Sequence, residues 1–427
     1  MSNQRSYRYA FTATGKYPAT GNWRRVGEAD FRSSLQRVRH AVLPAAATPE
    51  WADDLLRIAR AVYLVDKLSP RPHERDPWTR ELCLWVQVTD PDRWLGEPLD
   101  RLNTLLRVLT SDVWDVAVAG GALPIDEQQR LGEYGTASEV ALFSGGLDST
   151  AYAAQQACTP GGPLLLLGYD MADAQLPQRS LYSAITELDA RQRPVNYCGV
   201  AATLAKKGRK LEPSTRSRGF LFATTAVYAA AAHGVAQAMV PENGQLAINP
   251  PLTPARLAAC STRSVHPWIL QQLNELITAV HGSVTVYNPF LYRTKGEVCT
   301  AAHANGLSHA DLARTVSCGS YSIHRQIGNC GYCYPCLIRR SGLHAALGTD
   351  PTDYEHDLHH LSTLKTAQHL LDLHQWLSHE FTAHDLIADM PLPAGTSMYE
   401  LLAMLQRGRA EIGSMLTASS PWGGICD

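Results

Sequence analysis

The sequence predicts an α/β protein with a doubly wound parallel sheet, an N-terminal α+β module and a helical C-terminal extension. Two observations predict this fold class. From Glu139 onward, short apolar runs alternate with helical segments, and these runs cover residues 140–143, 164–168, 195–200, 235–240 and 284–287. Strands that are apolar along their whole length are typical of a parallel sheet covered by helices on both faces. The periodicity changes before and after this stretch, which predicts an added segment on either side.

Residues 1–130 are predicted to form the N-terminal accessory module. A helix is expected to begin with Thr48 as N-cap and Pro49 in the first helical position. Apolar and polar residues alternate over 82–88, which predicts a strand, and a second helix over 102–109 is followed by a strand over 114–118. Titratable groups do not cluster into a recognisable site here, so we expect a scaffold or a partner surface. The turn-rich run over 120–135 is the predicted boundary.

Residues 137–347 are predicted to form the catalytic domain, and residues 348–427 the helical extension. Helical spacing of apolar residues in the extension centres on Leu364 to Trp376 and on Leu401 to Leu405. Six histidines lie between positions 356 and 379, without matched carboxylates or cysteines. We interpret these histidines as surface residues of helices rather than as metal ligands.

The composition limits the function classes that need to be considered. The 427 residues are 45% hydrophobic and 18% charged, with a formal net charge of -2, so the chain has ample core material and no overall attraction for nucleic acid. The first residues lack the apolar segment of a signal peptide, which predicts a cytoplasmic protein with reduced cysteines. The long uncharged stretch over 219–240 contains polar residues, and we interpret it as a buried helix that runs into a strand rather than as a membrane span.

A loop rich in glycine and serine follows the strand over 140–143 and precedes a helix predicted over 150–156: Ser144-Gly145-Gly146-Leu147-Asp148-Ser149. Backbone amides at a helix N-terminus favour anions, the glycines permit close approach of phosphate oxygens, and the serine hydroxyls add donors. Asp148 would repel a bare phosphate. We therefore predict that Asp148 either binds a bridging Mg²⁺ or braces the amides of the loop. The alternative is a glycine–serine turn that binds no ligand.

Four of the ten cysteines lie close together in the sequence: Cys318, Cys330, Cys333 and Cys336. Four thiolates at this spacing can surround a zinc ion as a tetrahedron, and such a closed set leaves no open position for catalysis. In a reducing compartment disulfides are not expected, and an iron–sulfur cluster is the competing interpretation. The sequence therefore predicts a structural metal site, whereas the other six cysteines are scattered and are interpreted as packing residues.

The phosphate loop resembles the PP-loop of the N-type ATP pyrophosphatases, and it lacks the lysine of a Walker A loop. Further segments within 137–347 resemble the 7-cyano-7-deazaguanine synthases, the QueC family. The cysteine segments Thr315 to Cys318 and Cys330 to Arg339, the run from Asn288 to Val298, and the run from Pro213 to Gly219 carry this resemblance. It implies an adenine nucleotide alpha hydrolase-like fold with a PP-loop, in which ATP is cleaved to AMP and pyrophosphate.

The resemblance also implies the substrate and the roles of individual residues. Enzymes of this family adenylate 7-carboxy-7-deazaguanine, convert it to an amide with ammonia, and activate it again to give the nitrile, using two ATP. In this chain the resemblance implies ATP, Mg²⁺ and Zn²⁺ as cofactors, with Asp148, Ser149, Arg218 and Lys295 as catalytic residues. Arg218 and Lys295 would neutralise phosphate charge, the loop from Ser144 to Ser149 would hold pyrophosphate, and the four clustered cysteines would hold zinc.

The added N-terminal and C-terminal segments resemble those of extended QueC-like proteins encoded in bacterial anti-phage systems, namely the Qat and type IV CBASS systems. This resemblance implies a role in defence, and the nitrogen nucleophile is then either ammonia or an amine of a partner protein. The candidate partners are therefore a deazaguanine-type small molecule, an acceptor protein from the same operon and a second copy of the chain in a homodimer. Nucleic acid and membrane are not expected partners.

Two other functions remain open at this point. The first is a tRNA-modifying PP-loop enzyme, because basic residues concentrate over 191–218, Tyr197 lies among them, and Cys198 could serve as a reactive thiol. The second is a subunit that binds ATP without turnover. Pyrophosphate release in the wild type and in Asp148→Ala would separate an enzyme from such a subunit.

Overall fold

The computed structural model describes residues 6–33, 47–71, 79–124, 136–169, 175–200, 202–204, 211–214, 216–253, 263–319, 328–358 and 363–419. It confirms the predicted α/β class. The strands are β1 (Ser6–Thr12), β2 (Arg24–Gly27), β3 (Phe31–Ser33), β4 (Glu81–Gln87), β5 (Val113–Ala119), β6 (Glu139–Leu142), β7 (Leu164–Tyr169), β8 (Val195–Val200), β9 (Ala202–Leu204), β10 (Gln237–Met239) and β11 (Thr285–Tyr287).

Helices separate most of these strands. They are α1 (Glu50–Leu68), α2 (Glu97–Thr110), α3 (Leu147–Ala157), α4 (Gln175–Thr186), α5 (Arg218–His233), α6 (Gly244–Ile248), α7 (Pro267–Ala279), α8 (Lys295–Ala304), α9 (His309–Arg314), α10 (Tyr334–Leu347), α11 (Leu364–Ser378), α12 (Ala383–Ile387) and α13 (Met398–Ser419). Among the described helices, none is both long enough and apolar enough to cross a membrane.

The central sheet has the strand order β11-β10-β6-β7-β8, and all of its strand pairs are parallel. The chain adds β7 and β8 on one side of β6 and then returns to add β10 and β11 on the other side. The strand order therefore reverses between β6 and β10. In open parallel sheets, ligands bind at the carboxyl ends of the strands at such a reversal. The predicted phosphate loop directly follows β6, so it lies at this position.

Apolar runs predicted the five central strands to within three residues at each end. The strand over 195–200 matches the structure in full, and the runs over 235–240 and 284–287 contain the shorter β10 and β11. The uncharged stretch over 219–240 is a helix followed by a strand, as predicted, with Phe220, Ala226 and Val227 buried. The strand predictions succeeded because both faces of this sheet are covered by helices, so that each strand is apolar along its whole length.

The N-terminal segment contains a second parallel sheet with the order β2-β1-β4-β5. The strands and helices that the sequence predicted for this module are present, and Leu82, Leu84 and Val86 of β4 are buried as the alternation indicated. The predicted cap of α1 was wrong by one residue. Pro49 is the N-cap, because its extended backbone directs its own carbonyl to Ala52 N and Asp53 N at 2.9 and 3.2 Å.

The two sheets share one hydrophobic core. Helix α1 packs against α5, and α2 packs against α7, so that Leu55 and Leu106 belong to the same buried cluster as Phe220 and Ile277. The ion pair between Arg101 Nη1 and Glu275 Oε2, at 2.5 Å, crosses the same junction. The N-terminal segment is therefore fused to the central sheet through buried apolar surface.

The helical C-terminal extension packs against the opposite side of the central domain. Helix α13 contacts α10, α8 and α6, and its Leu401, Met404 and Ile412 form a buried cluster with Leu337 and Ile338 of α10. Segments from both ends of the sequence therefore pack against helices of the central domain.

Candidate active site

The predicted phosphate loop is a tight turn between β6 and α3. Gly145 has a φ of 74°, the left-handed region that favours glycine. The backbone amide of Ser144 donates to Ser149 Oγ at 3.2 Å, and Gly146 N donates to Ser144 Oγ at 3.1 Å. Ser149 Oγ donates to the carbonyl of Gly146 at 3.1 Å. The two serine hydroxyls therefore hold the shape of the loop before any ligand is present.

Segments outside the loop pack closely against both of its glycines. Gln178 of α4 donates from Nε2 to the carbonyl of Ser144 at 3.0 Å, and Val316 N donates to the carbonyl of Gly145 at 3.1 Å. A Cβ on Gly145 would lie 3.0 Å from Gln178 Cγ, and one on Gly146 would lie 3.3 Å from the carbonyl oxygen of Val316. The positive φ and the contact with α4 therefore favour glycine at position 145, and the segment leading to Cys318 leaves little space for a side chain at position 146.

A buried ion pair lies beside the loop, at the reversal of strand order. Lys295 Nζ, at the start of α8, is 2.6 Å from Asp148 Oδ2, and these residues are 1% and 6% exposed. Asn243 Nδ2 donates to the same oxygen at 3.0 Å. The second carboxylate oxygen, Oδ1, is buried and has no hydrogen-bond partner among the described residues. Contacts of Asp148 are thus with the residues after β10 and with Lys295, rather than with the amides of the loop.

A second carboxyl group adjoins Asp148. Asn243 Nδ2 also donates to Glu242 Oε1 at 3.2 Å. Burial raises the pKa of Glu242 well above its usual range, and the neighbouring Asp148 carboxylate raises it further. Although burial alone would raise the pKa of Asp148, the Lys295 ammonium and the hydrogen bonds lower it below its ordinary value. The opposite shifts of the two pKa values are those expected of two adjacent buried carboxyl groups, of which one is paired with a cation.

The loop and the ion pair open into a cavity of about 800 Å³. Ser144, Ser149, Asp148 and Lys295 line one part of it. Arg218, the first residue of α5, lines another part together with Phe222, whose ring stacks on Tyr169 with centroids 3.9 Å apart. The structure thus brings all four predicted catalytic residues to one cavity, although their catalytic roles stay a prediction.

The four predicted metal ligands converge in space. The sulfur atoms of Cys318, Cys330, Cys333 and Cys336 all lie within 4.8 Å of one another, and two pairs are 3.9 Å apart. A tetrahedral zinc with bonds of about 2.3 Å places its sulfur ligands about 3.8 Å apart, so this set fits zinc. Cys318 and Cys333 also line the large cavity, which ties the metal cluster to the wall of the candidate active site.

Several residues of the site were missed from the sequence. Glu242 and Asn243 lie in the loop that begins after β10, so their place near the carboxyl end of a central strand was the signal that could have found them. The histidines over 356–379 were interpreted as surface residues. His369 of α11 is partly exposed and lines the cavity, so it is a further residue of the site that the sequence did not single out.

The C-terminal helix also supports the ion pair. Glu411 of α13 accepts hydrogen bonds from the hydroxyl of Thr294 and from the amide of Gly296, at 3.1 Å for the latter. These two residues flank Lys295. The backbone amide of Lys295 itself donates to Gln245 Oε1 of α6 at 2.8 Å. The first turn of α8 is therefore held by residues outside its own helix.

The described part of the chain does not favour a tRNA-modifying function. Arg193 is buried and pairs with Glu139 at 2.6 Å, and Arg216 donates to Ser111 Oγ at 3.1 Å. The described residues that line the cavity do not include Cys198, which is a buried residue of β8. Four other basic residues of this stretch, at 206, 207, 209 and 210, lie outside the described residues.

Comparison with known proteins agrees with this geometry in part of the chain. Residues 265–347 match the family described as queuosine biosynthesis protein QueC. This match contains Lys295 and the four clustered cysteines but not the phosphate loop. The curated proteins named 7-cyano-7-deazaguanine synthase from Cupriavidus taiwanensis and from Cupriavidus necator are each 41% identical over 70 residues, which is 16% of this chain and 29% of each relative. The chain thus matches under a third of the length of these relatives.

The fold and the matched segment lead to the same family. A parallel α/β sheet places a glycine–serine loop beside Lys295, and the segment that carries Lys295 and the four cysteines is the part that matches the family. Over residues 265–347 the chain is therefore similar to the QueC family.

Proposed function

We propose that this chain is an ATP-dependent ligase that adenylates a carboxylate and passes the acyl group to a nitrogen nucleophile. The observation that carries the proposal is the meeting of the loop Ser144–Ser149 and the buried Lys295–Asp148 pair in one cavity. Amides and a cation placed beside a helix N-terminus suit the charge that develops on a departing pyrophosphate. The QueC match over 265–347 supports the same chemistry.

In the proposed reaction the substrate carboxylate attacks the α-phosphorus of ATP. A carboxyl–phosphate bond forms, the bond between the α-phosphorus and the bridging oxygen breaks, and pyrophosphate leaves into the loop. A nitrogen nucleophile then attacks the acyl carbon, loses a proton and displaces AMP. The residues of the chain position these groups: the loop amides and Lys295 at the pyrophosphate, and Arg218, which lines another part of the same cavity, at phosphate charge.

Asp148 and Glu242 would hold Mg²⁺, and this ion would neutralise part of the phosphate charge. The two carboxyl groups lie on the same Asn243 amide, and the buried Oδ1 of Asp148 has no hydrogen-bond partner among the described residues, so their oxygens would suit a divalent cation. The four cysteines would hold Zn²⁺ as a structural ion. We expect one zinc per chain by elemental analysis and a colourless protein, whereas visible absorption with bound iron would favour an iron–sulfur cluster.

The proposed substrate class is a planar heterocycle with a carboxylate, namely 7-carboxy-7-deazaguanine. The Tyr169–Phe222 stack offers an aromatic surface in the cavity wall, and the Arg218 guanidinium lies 5.8 Å from the ring of Phe222. Such a pair suits a flat ring that bears an anionic group. Purified protein with MgATP and this compound should release pyrophosphate, because adenylation precedes the attack of the nucleophile, with Asp148→Ala as the inactive control. Equal rates in both proteins would favour a nucleotide-binding subunit instead.

For the acceptor we propose an amine of a partner protein, in a system of anti-phage defence, with ammonia as the alternative. The support is the N-terminal segment, which adds a whole second sheet to the domain that resembles the housekeeping synthases. Mass spectrometry of proteins co-expressed with this chain should detect a deazaguanine-sized addition on one of them. Formation of the nitrile from ammonium without any protein adduct would instead support the small-molecule reaction. A homodimer stays a prediction.

A further inference from the structure

A buried ionic network joins the N-terminal segment to the loop before α5. Its centre is Arg80, which is fully buried at the start of β4. Arg80 Nη2 lies 2.6 Å from Asp66 Oδ1 at the end of α1 and 2.6 Å from Asp112 Oδ2 at the start of β5. Asp66 and Asp112 are also 0% exposed. Arg80 thus pairs with both carboxylates at once. The ion pairs link the end of α1, the start of β4 and the start of β5, and they fix the position of Asp66.

The second oxygen of Asp66 reaches the central domain. Asp66 Oδ2 accepts from Ser217 Oγ at 2.5 Å and from Ser217 N at 3.4 Å, and Ser217 is 0% exposed. Ser217 is the N-cap of α5, and the next residue is Arg218. Ser217 does not cap α5 with its own side chain, since its hydroxyl donates to Asp66 instead.

Other contacts hold the same segment from the same side. Lys67 Nζ donates to the carbonyls of Glu212 and Ser214, at 2.8 Å for Ser214. The amide of Arg71 donates to Glu212 Oε2 at 2.8 Å. The segment before α5 therefore contacts the C-terminal end of α1 at two places. Glu212 and Ser214 bind Lys67 and Arg71, and Ser217 binds Asp66.

Within the described residues, Arg218 forms no ion pair or hydrogen bond with another side chain, although the hydroxyl of Tyr63 is close enough to interact electrostatically. It lines the large cavity, and among the described residues its guanidinium contacts the ring of Phe222 at 5.8 Å without a carboxylate partner in an ion pair. Its orientation is therefore set by the backbone at the start of α5. That backbone is anchored by Ser217.

We propose that Asp66 is a positioning residue, which acts through Ser217 to direct Arg218 into the cavity, so that the N-terminal segment takes part in binding anionic substrate groups. This inference rests on the proposed function, in which Arg218 neutralises phosphate charge. It assigns the N-terminal segment a role in the site although none of its described residues lines that cavity.

A double-mutant cycle on MgATP affinity tests this inference, measured by titration calorimetry on the full chain. Ser217→Ala should weaken binding about tenfold, in line with the loss of a hydrogen bond to a charged group. In the Arg218→Ala background the same change should alter the affinity by less than about twofold, because the group that Ser217 positions is already gone. Ser217→Thr keeps the hydroxyl and should restore binding.

Thr224→Ala is the matched control. It deletes a fully buried hydroxyl of α5 that donates to the carbonyl of Leu221 within the helix. We expect this variant to lower thermal stability about as much as Ser217→Ala while leaving MgATP affinity unchanged. Additive losses in the cycle, or unchanged affinity in Ser217→Ala, would overturn the inference alone. A wild type that does not bind MgATP would overturn the proposed function and the inference with it.

Discussion

At the scale of single residues, the site depends on charges that are buried and paired. Lys295 and Asp148 satisfy each other in surroundings where neither charge would be stable alone, and burial raises the pKa of Glu242 beside them. Burying a charge costs several kcal/mol unless a partner compensates it, so each member of this group controls the state of the others. We therefore expect the stability of the protein to depend strongly on pH and on substitutions in this group.

We expect Lys295→Met to lower the free energy of unfolding by about 3–5 kcal/mol near neutral pH, because it leaves the Asp148 carboxylate buried without its cation. The pKa of Asp148 lies below its ordinary value of 3.8 in the wild type, so its contribution to stability is present above that pH and is lost as the pH falls through the lowered pKa. The difference between wild type and variant should therefore shrink in acid, as measured by urea unfolding at several pH values.

Arg101→Ala provides a contrast for that measurement. It breaks a partly exposed ion pair with Glu97 and Glu275, so we expect a loss of about 0–1 kcal/mol that salt reduces. A loss in Lys295→Met as small as this, with no dependence on pH, would contradict the interpretation of the buried pair.

His266 supplies a second dependence on pH. It is 3% exposed and caps α7, with Nδ1 accepting from Trp268 N at 3.2 Å. Burial lowers the pKa of His266 to about 4, with the nearby Arg263 guanidinium acting in the same direction. Since the unfolded chain takes up the proton first, near pH 6.5, stability should fall as the pH decreases from about 6.5 to 4, by about 3 kcal/mol in total.

His266→Asn keeps an N-cap side chain and removes the titration. We expect the unfolding free energy of this variant to change less than that of the wild type between pH 7 and pH 4, by about the amount given above. Parallel pH profiles of the two proteins in urea unfolding would show that His266 does not titrate as its burial indicates.

At the scale of elements, the phosphate loop is shaped by what packs against it. Strand β6 and helix α3 set its ends, and Gln178 of α4 and Val316 close over it. The turn exists because Gly145 adopts a positive φ within that restricted space. The conformation of the loop therefore depends on contacts with distant segments as well as on its own sequence.

The variant Gly145→Ala tests whether packing around the loop determines its conformation. The added methyl group would lie 3.0 Å from Gln178 Cγ, and an L-residue in the left-handed region costs about 1–2 kcal/mol by itself. We expect a lower melting temperature and weaker binding of MgATP. Gly413→Ala on α13 is the control, because no atom lies within 4 Å of the new methyl group. That change should stabilise the protein by up to about 1 kcal/mol through helix propensity and leave nucleotide binding unchanged.

At the scale of the whole molecule, the N-terminal segment and the central sheet share one core. Helices α1 and α5 are the main contact, and Asp66 adds a buried polar link across it. We propose the divisions at 1–130, 137–347 and 348–427 as regions of sequence. The shared core indicates that the first two unfold as one unit.

Leu55→Ala in α1 measures this coupling. Leu55 is 0% exposed in the shared core, so we expect a loss of about 2–5 kcal/mol. Hydrogen exchange should accelerate equally in β4 and in β6 and β7, because a cooperative unit opens as a whole. Faster exchange in β4 with unchanged protection of β6 and β7 would show that the N-terminal segment unfolds alone.

The sequence alone was sufficient for the class of the fold, for the five central strands and for the cysteine cluster. Strand periodicity and cysteine spacing are local patterns, and a covered parallel strand must be apolar at every position wherever it lies in the sheet. The loop Ser144–Ser149 was likewise recognisable, because its glycines and serines are contiguous. The cap of α1 at Pro49 was missed by one residue, since it depended on the backbone angles of a single proline.

The tertiary structure decided which distant residues meet. Glu242 and Asn243 join Asp148 because the strand order reverses between β6 and β10, and His369 reaches the cavity because α11 folds over it. Glu411 supports the turn that carries Lys295 from more than a hundred residues away, and Asp66 at the end of α1 meets Ser217 at the start of α5. No local pattern encodes such pairs, because a single carboxylate in a helix is ordinary until packing buries it against its partner.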